Sequence, residues 1–257
     1  MKNHGRVNER FPIFHIPHDG RLFPPELMAS VCIPEEAFMA YHEIMRDVDV
    51  SAMIPIVYRG GGMTARFPVS RLLCDVKRFI GPEEIMERYG MGYCYEKAYD
   101  GRTIKRVTAE TKAAARRYYD AHHRRMNRLC QRHDRVLFFD MHSYSDRIVP
   151  PFARKPGRSG PDLCIGTDKR FTPPQLTETV RKRFAEEGFT VAENSPYSGL
   201  YIPENVLYGR SRCDFIGVML EFNRRAYCGR SGAAVKERIG LIRSVIGRIM
   251  ADCARSA

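Results

Sequence analysis

No run of about 18 apolar residues occurs in the 257-residue chain, which excludes a transmembrane helix of the usual kind. The opening stretch, MKNHGRVNERFPIFHIPHDG, holds no apolar segment leading to a small-residue cleavage site, so no secretory leader is expected and the cytoplasm is the expected compartment. No C-x-x-C pair exists, and the eight cysteines at 32, 74, 94, 130, 164, 213, 228 and 253 are scattered. A disulfide framework or a zinc knuckle needs clustering, so these read as reduced and mostly buried thiols. Internal repeats, low-complexity tracts and a credible linker are also missing. The nearest candidate, Pro150 to Pro161, is a Pro/Gly/basic loop, so one domain over residues 1–257 is expected. Gly60-Gly61-Gly62 lacks the Lys-Ser/Thr of a phosphate-binding loop, which argues against a nucleotide site.

What is present is ordinary globular material: 44% apolar and 28% charged residues, with 20 Gly and 16 Pro. A chain of this length buries roughly 70–75% of its unfolded surface, enough for a substantial core. The net charge of +12 favours anionic partners without choosing between nucleic acid and an acidic metabolite. Six arginines between 116 and 132 (Arg116, Arg117, Arg124, Arg125, Arg128 and Arg132) form either a solvated helix face or a basic docking surface.

Short apolar runs predict buried strands at Phe11–Pro17, Arg135–Met141, Asp162–Gly166, Phe189–Ala192 and Phe215–Phe222. Helical patterns separate them. One spans about Thr108 to His133, and another starts near Ser231 with Val235, Ile239, Ile242, Ile246 and Ile249 at helical spacing. Between Phe171 and Gly188 the residues spell a capped helix, with Thr172 as cap, Pro173 as first helical residue, Gln175 as capping partner, and Phe171 with Leu176 as staple. Gly188 supplies the left-handed stop. Alternating strands and helices predict an α/β sandwich around a mixed, mostly parallel sheet, with ligands at the carboxyl ends of its strands.

Three places there could carry chemistry. His18 ends the first strand within Pro17-His18-Asp19-Gly20, as a ligand or simply as a turn residue. In Phe139-Asp140-Met141-His142-Ser143, alternation puts Asp140 and His142 on one face, where they need each other or an ion. Glu221 interrupts the apolar strand 217–222, either paired with Arg224 or Arg225 or poised as a general base.

Taken together, P-H-D-G (17–20), S-R-L-L-C-D-V-K-R (70–78), F-D-M-H-S (139–143), P-D-L-C-I-G (161–166), N-S-P-Y-S-G (194–199) and L-E-F-N-R (220–224) resemble the N-formylglutamate amidohydrolases. The order holds from about residue 11 to 228. That family is similar in turn to the zinc carboxypeptidases, whose H-S-Y-S stands here as His142-Ser143-Tyr144-Ser145. The resemblance implies a three-layer α/β sandwich of the zinc-carboxypeptidase-like (phosphorylase/hydrolase-like) type. It implies Zn²⁺ held by His18, Asp47 and His142, with Asp47 preferred to Asp49 for its spacing to Ser70-Arg71. Glu221 is then the general base and Arg71 polarises the scissile carbonyl. Arg78 and Arg224 receive substrate carboxylates, and Tyr144, Tyr197 and Asn223 complete the substrate pocket.

Two departures accompany it. The family's D-L-N-R is Asp75-Val76-Lys77-Arg78 here, an ammonium for an amide in the implied pocket, and its P-Y-H has no exact match near Tyr119, Asp120 and His122. Both leave the zinc chemistry intact and bear on the substrate. The implied partner is a small anionic N-acyl amino acid, N-formyl-L-glutamate first. Rivals are a carboxypeptidase-like or other N-acyl-amino-acid hydrolase and, from another class, a basic nucleic-acid-binding protein. No membrane partner is expected, nucleic acid is disfavoured, and a homo-oligomer is left open.

Overall fold

The computed structural model describes residues 9–55, 62–146, 148 and 159–255. Six strands, β1 (Phe11–Ile16), β2 (Met63–Arg66), β3 (Arg135–Tyr144), β4 (Leu163–Gly166), β5 (Val191–Glu193) and β6 (Asp214–Asn223), form one sheet in the order β2-β1-β3-β6-β4-β5. All neighbours run parallel except β4 and β6, so the sheet is mixed and mostly parallel, as expected. Seven helices accompany it: α1 (Pro25–Met28), α2 (Glu35–Met45), α3 (Ala109–Gln131), α4 (Pro174–Ala185), α5 (Glu204–Leu207), α6 (Arg224–Tyr227) and α7 (Lys236–Arg255). Among the described residues no helix is long and apolar enough to cross a membrane.

The long central strands β3 and β6 are buried along nearly their whole length, which is why they read as apolar runs rather than as alternation. Alternation still sorts their side chains. Leu137, Phe139, Met141, Val218, Leu220 and Phe222 pack with α4 and α7 on one face. Ile13, Val136, Phe138 and Phe215 pack with Met126 and Leu129 of α3 on the other. The period of two therefore places His15, Asp140, His142 and Glu221 on the α3 side. A third cluster joins Leu27, Phe38, Val69, Leu72 and Tyr95 to Ala114 and Ala115 of α3, and stabilises the mostly irregular segment between β2 and α3. Gly20 lets the chain after β1 press against this segment; a Cβ there would collide with the carbonyl oxygens of Pro68 and Val69.

Several local expectations shift. Thr108 caps α3 through its side chain, as the pattern suggests. Thr172 does not cap α4. Pro173 is the flanking residue and Pro174 the first helical one, while the Thr172 hydroxyl donates to the Gly217 carbonyl and accepts from the Asp168 N–H. The staple is absent too: Phe171 packs on Phe215 in the α3-side cluster, whereas Leu176 joins the opposite one. Helix α7 starts at Lys236, five residues later than expected. Strand β2 was not foreseen; only one of its four residues is buried, so it carries no apolar run. Gly60 and Gly61, and residues 150–158 of the Pro/Gly loop, lie outside the described residues. All eight cysteines are free, five of them buried. The six arginines of the 116–132 stretch are exposed, consistent with a solvated face.

Candidate active site

Three segments meet at the carboxyl ends of β1 and β3. The backbone N–H of Asp47, just beyond α2, donates to the His18 carbonyl at 3.0 Å. Val48 donates its N–H to Ser143 Oγ at 3.1 Å and accepts from the Tyr227 hydroxyl at 2.8 Å. The serine beside His142 thus ties the Asp47 segment to β3. His18, Asp47 and His142 are all buried, and one donor atom from each lies within 4.8 Å of the others. Asp47 Oδ2 is 3.1 Å from His142 Nδ1 and 3.7 Å from His18 Nδ1. Asp49 stands apart, preceding a 3₁₀ turn with a left-handed backbone (φ 49°). Among the described residues no other group of three or more His, Cys, Asp and Glu side chains converges in this way.

Each imidazole is aimed by a carboxylate behind it. His18 Nε2 is 2.8 Å from Asp75 Oδ1, and His142 Nε2 is 3.0 Å from Asp140 Oδ1. With Nε2–H donated outward, both rings present Nδ1 lone pairs to the centre, the usual means of fixing a metal-binding histidine. Burial, then the Arg71 charge, lowers the His18 pKa to about 4. For His142 burial also favours the neutral ring, but the Asp140 charge and hydrogen bonds to Asp140 and Asp47 prevail and raise it to about 9. Burial opposes ionisation of Asp47 as well, yet the His142 hydrogen bond and the nearby His18, His142 and Arg71 charges hold its pKa below the ordinary value. The three side chains form a group able to hold a metal ion, and two imidazole nitrogens with one carboxylate oxygen are a donor set of the kind zinc takes.

Glu221 lies directly across from His142 in the register of β3 and β6. It is buried, and no ion pair joins it to either neighbouring arginine. Arg225 pairs with Asp162 at 3.2 Å and donates to the Gly160 carbonyl, while Arg224 donates to the Ile44 and Arg46 carbonyls. The structural-pair reading of Glu221 therefore fails. Burial lifts its pKa to about 7, with the Asp47 charge adding to the rise and those of His142, Lys77 and Arg71 opposing it.

Arg71 and Arg78 converge on Asp75. Arg71 Nη2 donates to Asp75 Oδ2 at 3.0 Å and to the Tyr95 hydroxyl at 3.1 Å, and Nη1 stands 3.9 Å from Asp47 Oδ1. Arg78 Nε is 3.6 Å from Asp75 Oδ2. The Nε atoms of Arg71 and Arg78 are both buried with no hydrogen-bond partner among the described residues. Tyr197 packs edge-on against Tyr144, and burial, then the Glu221 charge, raises its phenol pKa.

Three of the residues expected in the substrate pocket make hydrogen bonds within the chain. Arg224 braces the Asp47 segment through its backbone bonds. Asn223 caps α6 through Arg225 N–H and donates Nδ2 to Asp146 at 3.1 Å. Tyr144 also gives its hydroxyl to the Pro161 carbonyl at 2.6 Å. Lys77 stands behind His142, with Nζ bonded to Asp140 and 3.3 Å from His142 Nε2. Around the missing P-Y-H, Tyr119 donates to the Arg78 carbonyl at 2.8 Å and His123 Nε2 bonds the Val76 carbonyl at 3.0 Å, so α3 supports the 75–78 segment. His122 faces His15, whose Nδ1 is 2.9 Å from Asp140. Sequence reasoning passed over Asp75 and Tyr95. The signal for Asp75 was its place in the S-R-L-L-C-D-V-K-R block, four residues after Arg71 and three before Arg78.

The family model of N-formylglutamate amidohydrolase matches residues 12–228. Among solved structures, the chain is similar to an N-formylglutamate amidohydrolase from Ralstonia eutropha JMP134, with 20% identity, 97% of this chain and 95% of that one covered, and a TM-score of 0.74. It is also similar to a gene product from Agrobacterium tumefaciens, with 16% identity, coverage of 98% and 93%, and a TM-score of 0.62. No curated protein matches the sequence.

Proposed function

The chain belongs to the N-formylglutamate amidohydrolase family, and we propose that it hydrolyses the amide of an N-acylated acidic amino acid, with N-formyl-L-glutamate giving formate and L-glutamate. The observation that carries this reading is the meeting of two unlike functions across one strand pair: a His/Asp/His donor set at His18, Asp47 and His142, and a buried, arginine-free carboxyl at Glu221 opposite His142. The donor set fits zinc, and these three residues would hold it. When bound, the ion supplies Lewis acidity, which makes water nucleophilic near neutral pH and stabilises developing oxyanion charge.

The remaining steps belong to the chain's own groups. Glu221 takes the proton of the attacking water and returns it to the departing amine nitrogen, a role for which a pKa near 7 suits it. Arg71, fixed by Asp75 and Tyr95, stabilises the carbonyl oxygen as it gains charge. Arg78 offers a carboxylate of the substrate charge-assisted hydrogen bonds, with the unpartnered Nε of each arginine available. The basic excess of the chain attracts a dianionic substrate. Free thiols throughout accord with a reducing compartment, and the cytoplasm is part of this reading.

Metal analysis of the purified protein, followed by formate release across N-acyl amino acids, tests the proposal. Stoichiometric zinc with fastest turnover of N-formylglutamate is the expected result. Fastest turnover of another acyl amino acid would move the substrate within the same chemistry. Absence of both metal and amidase activity, with salt-steep oligonucleotide binding, would overturn the reading.

A further inference from the structure

One residue touches the carboxylates behind both metal-facing imidazoles. The backbone N–H of Lys77 donates to Asp75 Oδ1 at 3.0 Å, the same oxygen that receives His18 Nε2. Its side chain reaches the other way, and Nζ bonds Asp140 Oδ2 while Oδ1 of that carboxylate receives His142 Nε2. Asp75 and Asp140 are fully buried. Asp75 keeps other partners on Oδ2, namely Arg71 and the Tyr95 hydroxyl. Asp140 has no arginine. Its Oδ2 is pinned by the Tyr201 N–H at 2.9 Å and by Lys77, which supplies the one formal positive charge among its ion-pair partners other than histidine.

We propose that Lys77 is a positioning residue for the metal centre, holding Asp140 so that His142 presents Nδ1 inward, while its backbone does the same for His18 through Asp75. The inference rests on the metal reading above. Its physical basis is geometric. A carboxylate pinned at Oδ2 by two donors cannot rotate about its last side-chain torsion, so Oδ1 stays in line with His142 Nε2. Without Lys77, Asp140 keeps the Tyr201 N–H on Oδ2 and His15 and His142 on Oδ1, but it loses the lysine charge and one of the two Oδ2 pins, which loosens that torsion and the imidazole it aims. The Asn of the family pattern would keep the backbone bond to Asp75 and lose the cation on Asp140.

The test compares wild type, Lys77→Met and Lys77→Arg in chelator competition for Zn²⁺ and in the visible absorption of the Co²⁺-loaded proteins, with thermal melts alongside. Residues behind a metal ligand typically set affinity by about 10–100-fold. Lys77→Met is expected to lose zinc affinity within that range and to show an altered Co²⁺ spectrum, with Lys77→Arg recovering most of both. A Met variant that binds zinc as tightly as wild type with an unchanged spectrum overturns the inference and leaves the metal reading standing. Tighter binding by the Met variant also overturns it, since the ammonium would then act on the ion by repulsion alone. A wild-type protein that binds neither metal overturns both. Should the Met variant fail to fold, Lys77→Asn takes its place with the same expected losses.

Discussion

His142 and Glu221 are register partners on the two central parallel strands, so their side chains leave the sheet on the same face at adjacent positions. One residue of slip in either strand would send one of them to the α4/α7 side, into a cluster of Ile, Val and Phe. On the proposed reading, the ten-residue β3–β6 ladder places the ligand His142 beside the base Glu221, on two strands buried along nearly their whole length.

Alanine at His18 or His142 should each abolish stoichiometric metal binding. A change behind a ligand costs about 10–100-fold in affinity, and loss of one of three ligands should cost at least that. Each variant also removes one of several donors to a buried aspartate, Asp75 or Asp140, at roughly 1.5–3 kcal/mol, the worth of a hydrogen bond to a charged group. Metal content by mass spectrometry after dialysis, read only on the folded fraction, checks the expectation; full zinc in both variants would remove these histidines from the site.

Asp47 and Asp49 give a sharper contrast. Asp47→Ala should lose metal as the histidine variants do, because its carboxylate lies between the two Nδ1 atoms. Asp49→Asn should keep metal and stability, since Asn tolerates the left-handed backbone at φ 49°. Asp49→Ala should keep metal but lose about 1 kcal/mol of stability to that conformation. Side-by-side chelator titrations decide it, and the reverse order of metal loss would contradict the assignment of Asp47.

Strands β1, β3 and β6 were legible because burial on both faces makes them continuous apolar runs, and α3 because Thr108 bonds within the helix's own first turn. Thr172 misled for the opposite reason: its hydroxyl meets Gly217, 45 residues away, and no local pattern announces that bond. The site divides along the same line. His18, His142 and Glu221 stand at the ends of legible strands. The roles of Asp75, Tyr95 and Lys77 depend on an irregular segment folding back against β3, with Lys77 and Asp140 63 residues apart. Asn223 and Arg224 carry a suggestive motif, but the Asn223 amide donates to the Asp146 carboxylate and Arg224 to the distant Ile44 and Arg46 carbonyls.

Arg78→Ala should raise KM for a dianionic substrate by roughly 10–100-fold, the equivalent of a charge-assisted hydrogen bond worth about 1.5–3 kcal/mol. The analogue whose side-chain carboxylate is an amide should be affected far less. Asp75 retains Arg71, Tyr95 and His18, so the site behind Arg78 should stay assembled. An equal effect on both substrates would place Arg78 outside the binding pocket.

Glu221→Gln separates mechanism from binding. The amide keeps the size of the side chain but cannot accept the proton of the attacking water, so turnover should fall by about 10²–10⁴. Metal content should stay at the wild-type level, because Glu221 lies opposite His142 without belonging to the His18, Asp47 and His142 set. KM should change little. Stability should also hold, since no arginine is left unpaired: Arg224 and Arg225 bond backbone carbonyls and Asp162, not Glu221. A structural role would give the converse, with a lower melting temperature and nearly normal kcat per folded molecule. Steady-state kinetics and thermal melts on the same metal-loaded samples distinguish the two, and a stable Gln variant with near-normal kcat would refute Glu221 as the base.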